Sequence, residues 1–137
     1  MQNYVLAFKD SYSRVASAKV NAKFFDRFYE LFLASDESIA TKFDGVDLDR
    51  QKQMLKASLT EMTLFFVDHN ITSYMRALAT VHSKSGRNIE PQLYDRWLDA
   101  VIAAVNELDP YANEHVELAW RLVLAPGIAF MKFQYDK

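Results

Sequence analysis

Apolar residues recur along this chain at three- and four-residue intervals, the spacing that gathers side chains on one face of a helix, and no segment reads as a credible strand. Over residues 3 to about 18, Tyr4, Leu6, Ala7, Tyr12 and Val15 approximate that spacing and predict a first helix. From about 19 to 34, Phe24, Phe25, Phe28, Tyr29, Phe32 and Leu33 set pairs of aromatics one turn apart, which predicts a second helix with a broad buried face. Asp36 suits the cap of a short turn ending near Lys42, and Phe43 opens an irregular segment, FDGVD, with Gly45 as a breaker. Asp47 or Asp49 then starts a long helix to about Val67, with Met54, Leu55, Leu59, Met62 and Phe66 inward, broken at His69-Asn70. Thr72 caps a helix running to about Lys84, and Pro91, favourable in a first turn, opens another through about Leu108. Leu93, Tyr94, Trp97, Leu98, Val101, Ile102 and Val105 form its buried side, and Asp109-Pro110 stops it. The last helix, from about 113 to 134, carries Val116, Leu118, Ala119, Trp120, Val123, Leu124, Ile128, Met131 and Phe133. Pro126-Gly127 within it predicts a kink or break.

This pattern implies an all-α chain, and 137 residues without repeat, low-complexity tract or linker suit a single domain over 1–137. Composition sharpens the picture in one respect. Ten Phe and seven Tyr stand against three Gly and three Pro, so the chain encloses either something flat and apolar or a very aromatic core. The absence of cysteine removes disulfides, thiolate nucleophiles, iron–sulfur clusters and zinc-thiolate sites. A formal charge of −2 gives no electrostatic case for nucleic acid. No apolar run nears the roughly 20 residues that cross a bilayer, and no signal-peptide pattern opens the chain, so no membrane association and a cytoplasmic location are expected.

Chemistry concentrates in RALATVHSKSGRNIEPQLYDRW, residues 76 to 97. Leu78, Val81 and His82 share helical spacing, which aims the imidazole with the apolar side chains. Such a histidine suits an axial ligand of haem iron, its second nitrogen donating to the carbonyl four residues back, at Leu78. The same residue also suits a satisfied or solvent-facing position on a helix. Arg87, past the turn, is placed to meet a carboxylate such as a haem propionate, and Ile89, Tyr94 and Trp97 resume the apolar face. His69 reads as a polar helix end and His115, beside Glu114 and Glu117, as solvated. These three histidines have no helical ligand spacing to one another, so no zinc site is expected. No Ser/His/Asp order or phosphate-cradling glycine loop is present, and Asp26, Arg27 and Glu30 read as a solvated face.

The order Phe28-Tyr29, Phe43, Gln51, Leu55, His82, Tyr94, with the segment FYELFLASDESIATKF at residues 28 to 43, resembles bacterial single-domain globins and the haem domain of flavohaemoglobins. That resemblance covers nearly the whole chain. It implies a globin fold of about seven helices in a three-over-three sandwich around haem b (iron protoporphyrin IX), with His82 as the iron ligand. Phe43 would wedge the porphyrin with a flat apolar ring. Tyr29 and Gln51 would supply donors to bound O₂, which carries partial negative charge, and Leu55 would crowd the ligand position. Gln53 is the alternative amide should the helix register shift; Gln51 is preferred because it turns Leu55, Ser58, Leu59 and Met62 inward.

Departures from the family pattern bear on mechanism. Tyr94 suits the tyrosine that flavohaemoglobins place near the proximal histidine. The matching glutamate position falls near Tyr135, with no acid in the two preceding turns. The short third helix lacks its usual proline, with Glu37 or a neighbour in its place. No flavin or NAD domain is expected beyond residue 137, so redox turnover is expected to require a separate reductase. The resemblance thus implies reversible binding of O₂, with NO and CO as further ligands, for storage, scavenging or delivery. Alternatives are an NO dioxygenase or weak peroxidase with an external electron donor, a haem-based sensor, or a globin-like chain that has lost haem. Trp120, Phe130, Phe133 and Tyr135 exceed what one core requires and hint at a homodimer face.

Overall fold

Side chains with a free oxygen mark where the helices begin. Each accepts N–H groups that a first helical turn leaves unpaired. In the computed structural model, which describes residues 3–16 and 21–137, Asn3 accepts from Leu6 and caps α1 (Tyr4–Val15), and α2 (Asn21–Ala34) follows. The expected end of the first helix near residue 18 and start of the second near residue 19 lie outside the described residues. Asp36 caps α3 (Glu37–Lys42), Asp47 caps α4 (Leu48–Asp68), and Thr72 caps α5 (Ser73–His82). Asn113 caps α7 (Glu114–Phe133), while α6 (Leu93–Leu108) starts without a side-chain cap. His69 ends α4 in the left-handed conformation, φ 58°. Among the described residues all regular structure is helical.

α7 is the hub of the packing: α1, α4 and α6 lie against it, and α6 carries α2 on another side. Trp120 sits at the centre, fully buried, with the ring of Phe8 edge-on at 4.6 Å and Phe24 at 6.0 Å. Its expected place on a surface dimer face is therefore corrected: the indole belongs to the core. His115 also departs from expectation, since its ring lies 5.0 Å from that of Tyr4 rather than being simply solvated.

A buried polar chain ties α1 to the α6–α7 turn. Trp120 Nε1–H donates to Ser11 Oγ at 2.9 Å, and Ser11 donates to Asp109 Oδ2 at 2.6 Å. Arg14 donates twice to the same carboxylate, at 2.6 and 2.9 Å, and the Tyr111 N–H adds a further bond at 2.9 Å. Asp109 is thus more than the end of a helix. Burial would raise its pKa, but the bonds from Arg14, Ser11 and the Tyr111 N–H, with the Arg14 charge, outweigh it and hold the carboxyl below its ordinary value.

α7 runs through Pro126 without interruption, so of the expected kink or break the break does not occur. Pro126 has no N–H for the carbonyl of Leu122, and Leu122 is exposed, where water can serve instead. Gly127 acts in packing: a Cβ there would come within 2.8 Å of the Met62 side chain on α4. Two boundaries shift by two residues: α5 ends at His82, and Pro91-Gln92 form a turn before α6.

Removing the Asp109 carboxylate is expected to cost about 2–3 kcal/mol, less than for a fully enclosed pair because Arg14 keeps contact with water. Asp109→Asn should lower the urea midpoint at pH 7. Because the folded-state pKa lies below the unfolded value of about 3.9, the gap to the parent should close as pH falls below about 4. A gap unchanged at low pH would show that the carboxylate's charge contributes nothing.

Candidate functional site

Side chains from α2, α3, α4, α5, α6 and α7 enclose a cavity of about 120 Å³ with a mainly apolar wall. The helical period explains its contributors. Gln51, Leu55, Ser58 and Met62 recur on one face of α4, Leu78 and His82 on α5, and Tyr94 and Trp97 on α6. Tyr29, Phe32, Ile39, Phe43, Ile89 and Leu93 complete the wall with Lys42, Met54, Ile128 and Met131.

His82 is the only imidazole in that wall. Its Nδ1 lies 2.8 Å from the carbonyl oxygen of Leu78, one turn back. A carbonyl only accepts, so Nδ1 carries the proton and Nε2 keeps a free lone pair. Burial lowers the pKa of His82, the Leu78 carbonyl opposes this, and the charge of Arg87 lowers it further. The ring is therefore neutral at pH 7. The following loop folds back on the helix end: the Arg87 N–H donates to Val81 O at 2.8 Å and the Ile89 N–H to His82 O at 3.0 Å. Gly86 permits this approach, because a Cβ there would collide with the Val81 and Thr80 carbonyls. The C-terminal segment fastens the loop from outside, with the Lys84 N–H donating to Tyr135 O at 2.8 Å and the Tyr135 hydroxyl bonded to Asn88.

Of the residues expected at the site, Tyr29, Phe43, Gln51, Leu55, Leu78, His82, Ile89 and Tyr94 all line the cavity, and Val81 and Arg87 do not. Val81 is 44% exposed. One position turns a helix by roughly 100°, so it cannot share the inward face of both Leu78 and His82. Arg87 lies exposed in the loop, and the cation on the wall is Lys42. Lys42 Nζ donates to the Asn88 carbonyl at 2.8 Å and pairs with Glu90 at 3.4 Å. The only signal for Lys42 was its place beside Phe43 at a helix end. Ile128 and Met131 were legible as core but not as cavity.

Elsewhere on the wall, the Tyr29 hydroxyl donates to the backbone carbonyl of Gln51 at 3.1 Å, and burial raises its pKa, keeping the phenol protonated. The Gln51 residue lines the cavity while Gln53 is exposed, which favours the first register. Leu55 is buried in the α4 face. Phe43 meets Tyr29 and Phe32 edge-on at 5.8 and 6.0 Å. Burial also raises the pKa of Tyr94.

A bare metal ion needs several converging ligands, and no group of three His, Cys, Asp or Glu suited to one occurs among the described residues. One neutral imidazole, an apolar wall and a lysine on that wall instead fit a flat apolar chelate that brings its own equatorial donors and its own acids. Among the described residues no helix is long and apolar enough to cross a membrane.

No family model matches the sequence, and neither does any curated protein. The chain is similar to a crystal structure of a protein from Pseudomonas aeruginosa PAO1 described as structurally highly homologous to a human haemoglobin. The two are 36% identical, with 98% of this chain and 100% of that one covered and a TM-score of 0.89.

Two outcomes follow from the geometry. The folded-state pKa of His82 lies below the unfolded value of about 6.5, so the unfolded chain takes up this proton first. Stability of the ligand-free protein should therefore be complete above that value and fall as pH drops below it. Denaturant midpoints between pH 7.5 and 5 should show a shallower slope in His82→Leu; an unchanged slope would contradict a neutral ring held away from water. Gly86→Ala should destabilise by about 1–3 kcal/mol, because backbone carbonyls must move to admit the methyl group.

Proposed function

The chain belongs to the globin family, among its bacterial haemoglobin-like members, and from that premise we propose that it holds haem b through His82 and binds O₂ reversibly, with NO and CO as further ligands. The observation that carries this reading is the bond from His82 Nδ1 to the Leu78 carbonyl, which leaves one basic nitrogen free in an apolar cavity. Haem, when bound, supplies an iron centre that takes a diatomic gas.

The remaining chemistry belongs to the chain's own side chains. Leu78 fixes the tautomer and aim of the imidazole through its carbonyl. Phe43 and Ile89 provide flat and branched apolar surface against a planar guest. Lys42 offers an ammonium to an acidic substituent, with Arg87 a second cation in the loop nearby. On the gas side, Tyr29 retains its proton and can turn from the Gln51 carbonyl to a ligand carrying partial negative charge, and the Gln51 amide is a second donor. Leu55 limits the room beside them. The apolar wall excludes water, which strengthens each of these bonds.

One observation favours reversible binding over turnover. The partner of the His82 ring is a neutral carbonyl rather than a carboxylate, so the imidazole lacks the anionic neighbour that would make it a stronger electron donor. NO dioxygenase activity with a separate reductase remains the second reading, because Tyr29 and Gln51 serve it equally. Mixing the O₂-loaded protein with NO and then supplying a reductase distinguishes the two: repeated turnover would displace the storage reading.

Purified protein supplied with haem should develop a strong Soret band in one-to-one stoichiometry, and His82→Ala should weaken haem retention by about 100-fold or more. Full retention in that variant would remove His82 from the iron. Tyr29→Phe should leave the haem content unchanged and raise the O₂ dissociation rate roughly tenfold or more, the loss of a bond to a partly charged acceptor. Flash photolysis or stopped-flow mixing measures it.

A further inference from the structure

α1 and α4 both rest on α7 but scarcely touch each other, and a groove of about 580 Å³ opens where the start of α1 passes the end of α4. On α1, Val5 and Leu6 precede Lys9 by four and three positions, so the three share one side of the helix. Phe66 and Val67 supply the α4 wall. Leu6 is 54% exposed and Val67 46%, so this apolar floor is open to water. The groove shares no lining residue with the cavity at His82.

Its polar members are Asn3, Lys9 and His69, all exposed. The Asn3 side-chain oxygen already accepts the Leu6 N–H at 3.0 Å, which leaves its amide N–H₂ as a donor. Neither Asp nor Glu lines the groove, although the chain has 18 of them and Asp10 and Asp68 adjoin Lys9 and His69 in sequence. The positive end of α1 lies here with no acid in its first turn. At the opposite, negative end of α4, the His69 N–H closes on the Phe65 carbonyl at 2.8 Å. Each polar side chain on the wall can therefore donate, and none carries negative charge.

We propose that this groove binds an unbranched amphiphilic carboxylate, a free medium-chain fatty acid anion, with its chain on the apolar floor and its head group met by Lys9, the Asn3 amide and His69. The floor is shared between two helices rather than closed into a pit, so it suits an extended chain laid along it, and its size is that of small-molecule sites. Donors without a competing carboxylate select an anion over a cation. One lysine and no arginine fork suit a single carboxylate better than a phosphate dianion. The bound chain bridges α1 to α4, two helices otherwise joined through α7, and so raises the thermal midpoint. None of this depends on what the cavity at His82 holds.

Titration of ¹⁵N-labelled protein with sodium decanoate below its micelle concentration should shift the amide signals of Asn3, Leu6, Lys9, Val67 and His69 along one saturable curve. Those of Leu78, His82 and Tyr94 should stay in place. Lys9→Glu should weaken the affinity by roughly tenfold while Lys9→Arg keeps it within about twofold, and added salt should weaken it in the parent. Val67→Ser should also weaken it, through the lost apolar floor. All three positions are exposed enough that the thermal midpoint without decanoate should not move. Decyltrimethylammonium, the same chain with a cationic head, should bind at least about tenfold more weakly. Equal affinity for the two amphiphiles, or unaltered decanoate affinity in Lys9→Glu, would overturn the proposal. So would shifts confined to the His82 cavity, or attachment to phosphatidylglycerol vesicles by a protein that does not bind decanoate, which would make this face a membrane contact.

Discussion

A half-buried imidazole held by an uncharged acceptor sets the terms for everything around it. Taking His82 out of water favours its neutral form, and the Leu78 carbonyl decides which nitrogen keeps the proton. A carboxylate in that position would have drawn the ring toward the cation and required a charge of its own to be buried. The carbonyl imposes no such cost, but it gives direction only if the last turn of α5 stays wound. That requirement explains the loop after His82. Gly86 lets the backbone double back beneath the helix end, Arg87 and Ile89 donate to its final carbonyls, and Tyr135 clamps the loop from the C-terminal side.

The polar chain through Trp120, Ser11, Asp109 and Arg14 does a different job at a distance from that imidazole. It fastens α1 to α7 and the α6–α7 turn, where packing is already dense. α5 has no comparable anchor; it touches α4 and α7 lightly, and its position rests on the loop and the cavity wall. The molecule is thus firm on the α1, α6 and α7 side and more weakly tied on the side that carries the candidate ligand. Burying a guest against His82, Phe43 and Ile89 would add contacts where the protein has fewest of its own.

Helical period alone made most of the cavity legible. It set Gln51, Leu55, Ser58 and Met62 on one face, separated Gln51 from Gln53, and put His82 over Leu78. It failed where adjacent positions on one turn compete for the inward face, and where the deciding fact was a tertiary neighbour. Val81 sits one position from His82 and reads as inward until the turn angle carries it to solvent, and Arg87 reads as a pocket cation until Lys42, from a helix distant in sequence, is found on the wall. Asp109 looked like punctuation because nothing local marks Ser11 and Arg14, roughly a hundred positions away, as its partners. Trp120 looked surplus because composition counts aromatics without saying which ones the core absorbs.

Pro126-Gly127 shows the same limit from the other direction, and connects the two faces of α7. Locally the pair reads as an interruption. In the fold, the carbonyl it orphans belongs to Leu122, on the open side, and the missing Cβ faces Met62 on α4. Proline therefore falls where water can replace the lost bond, and glycine where two helices must come close. Met62 and Ile128 both line the cavity, so the spacing between α4 and α7 at this point bounds its inner end. The same turn leaves Ala125 exposed on the outer side of the helix. A larger residue at Gly127 would push against Met62 on α4 and change the cavity, while a larger residue at Ala125 would extend into solvent. One short segment thus bounds the pocket with one side and faces water with the other.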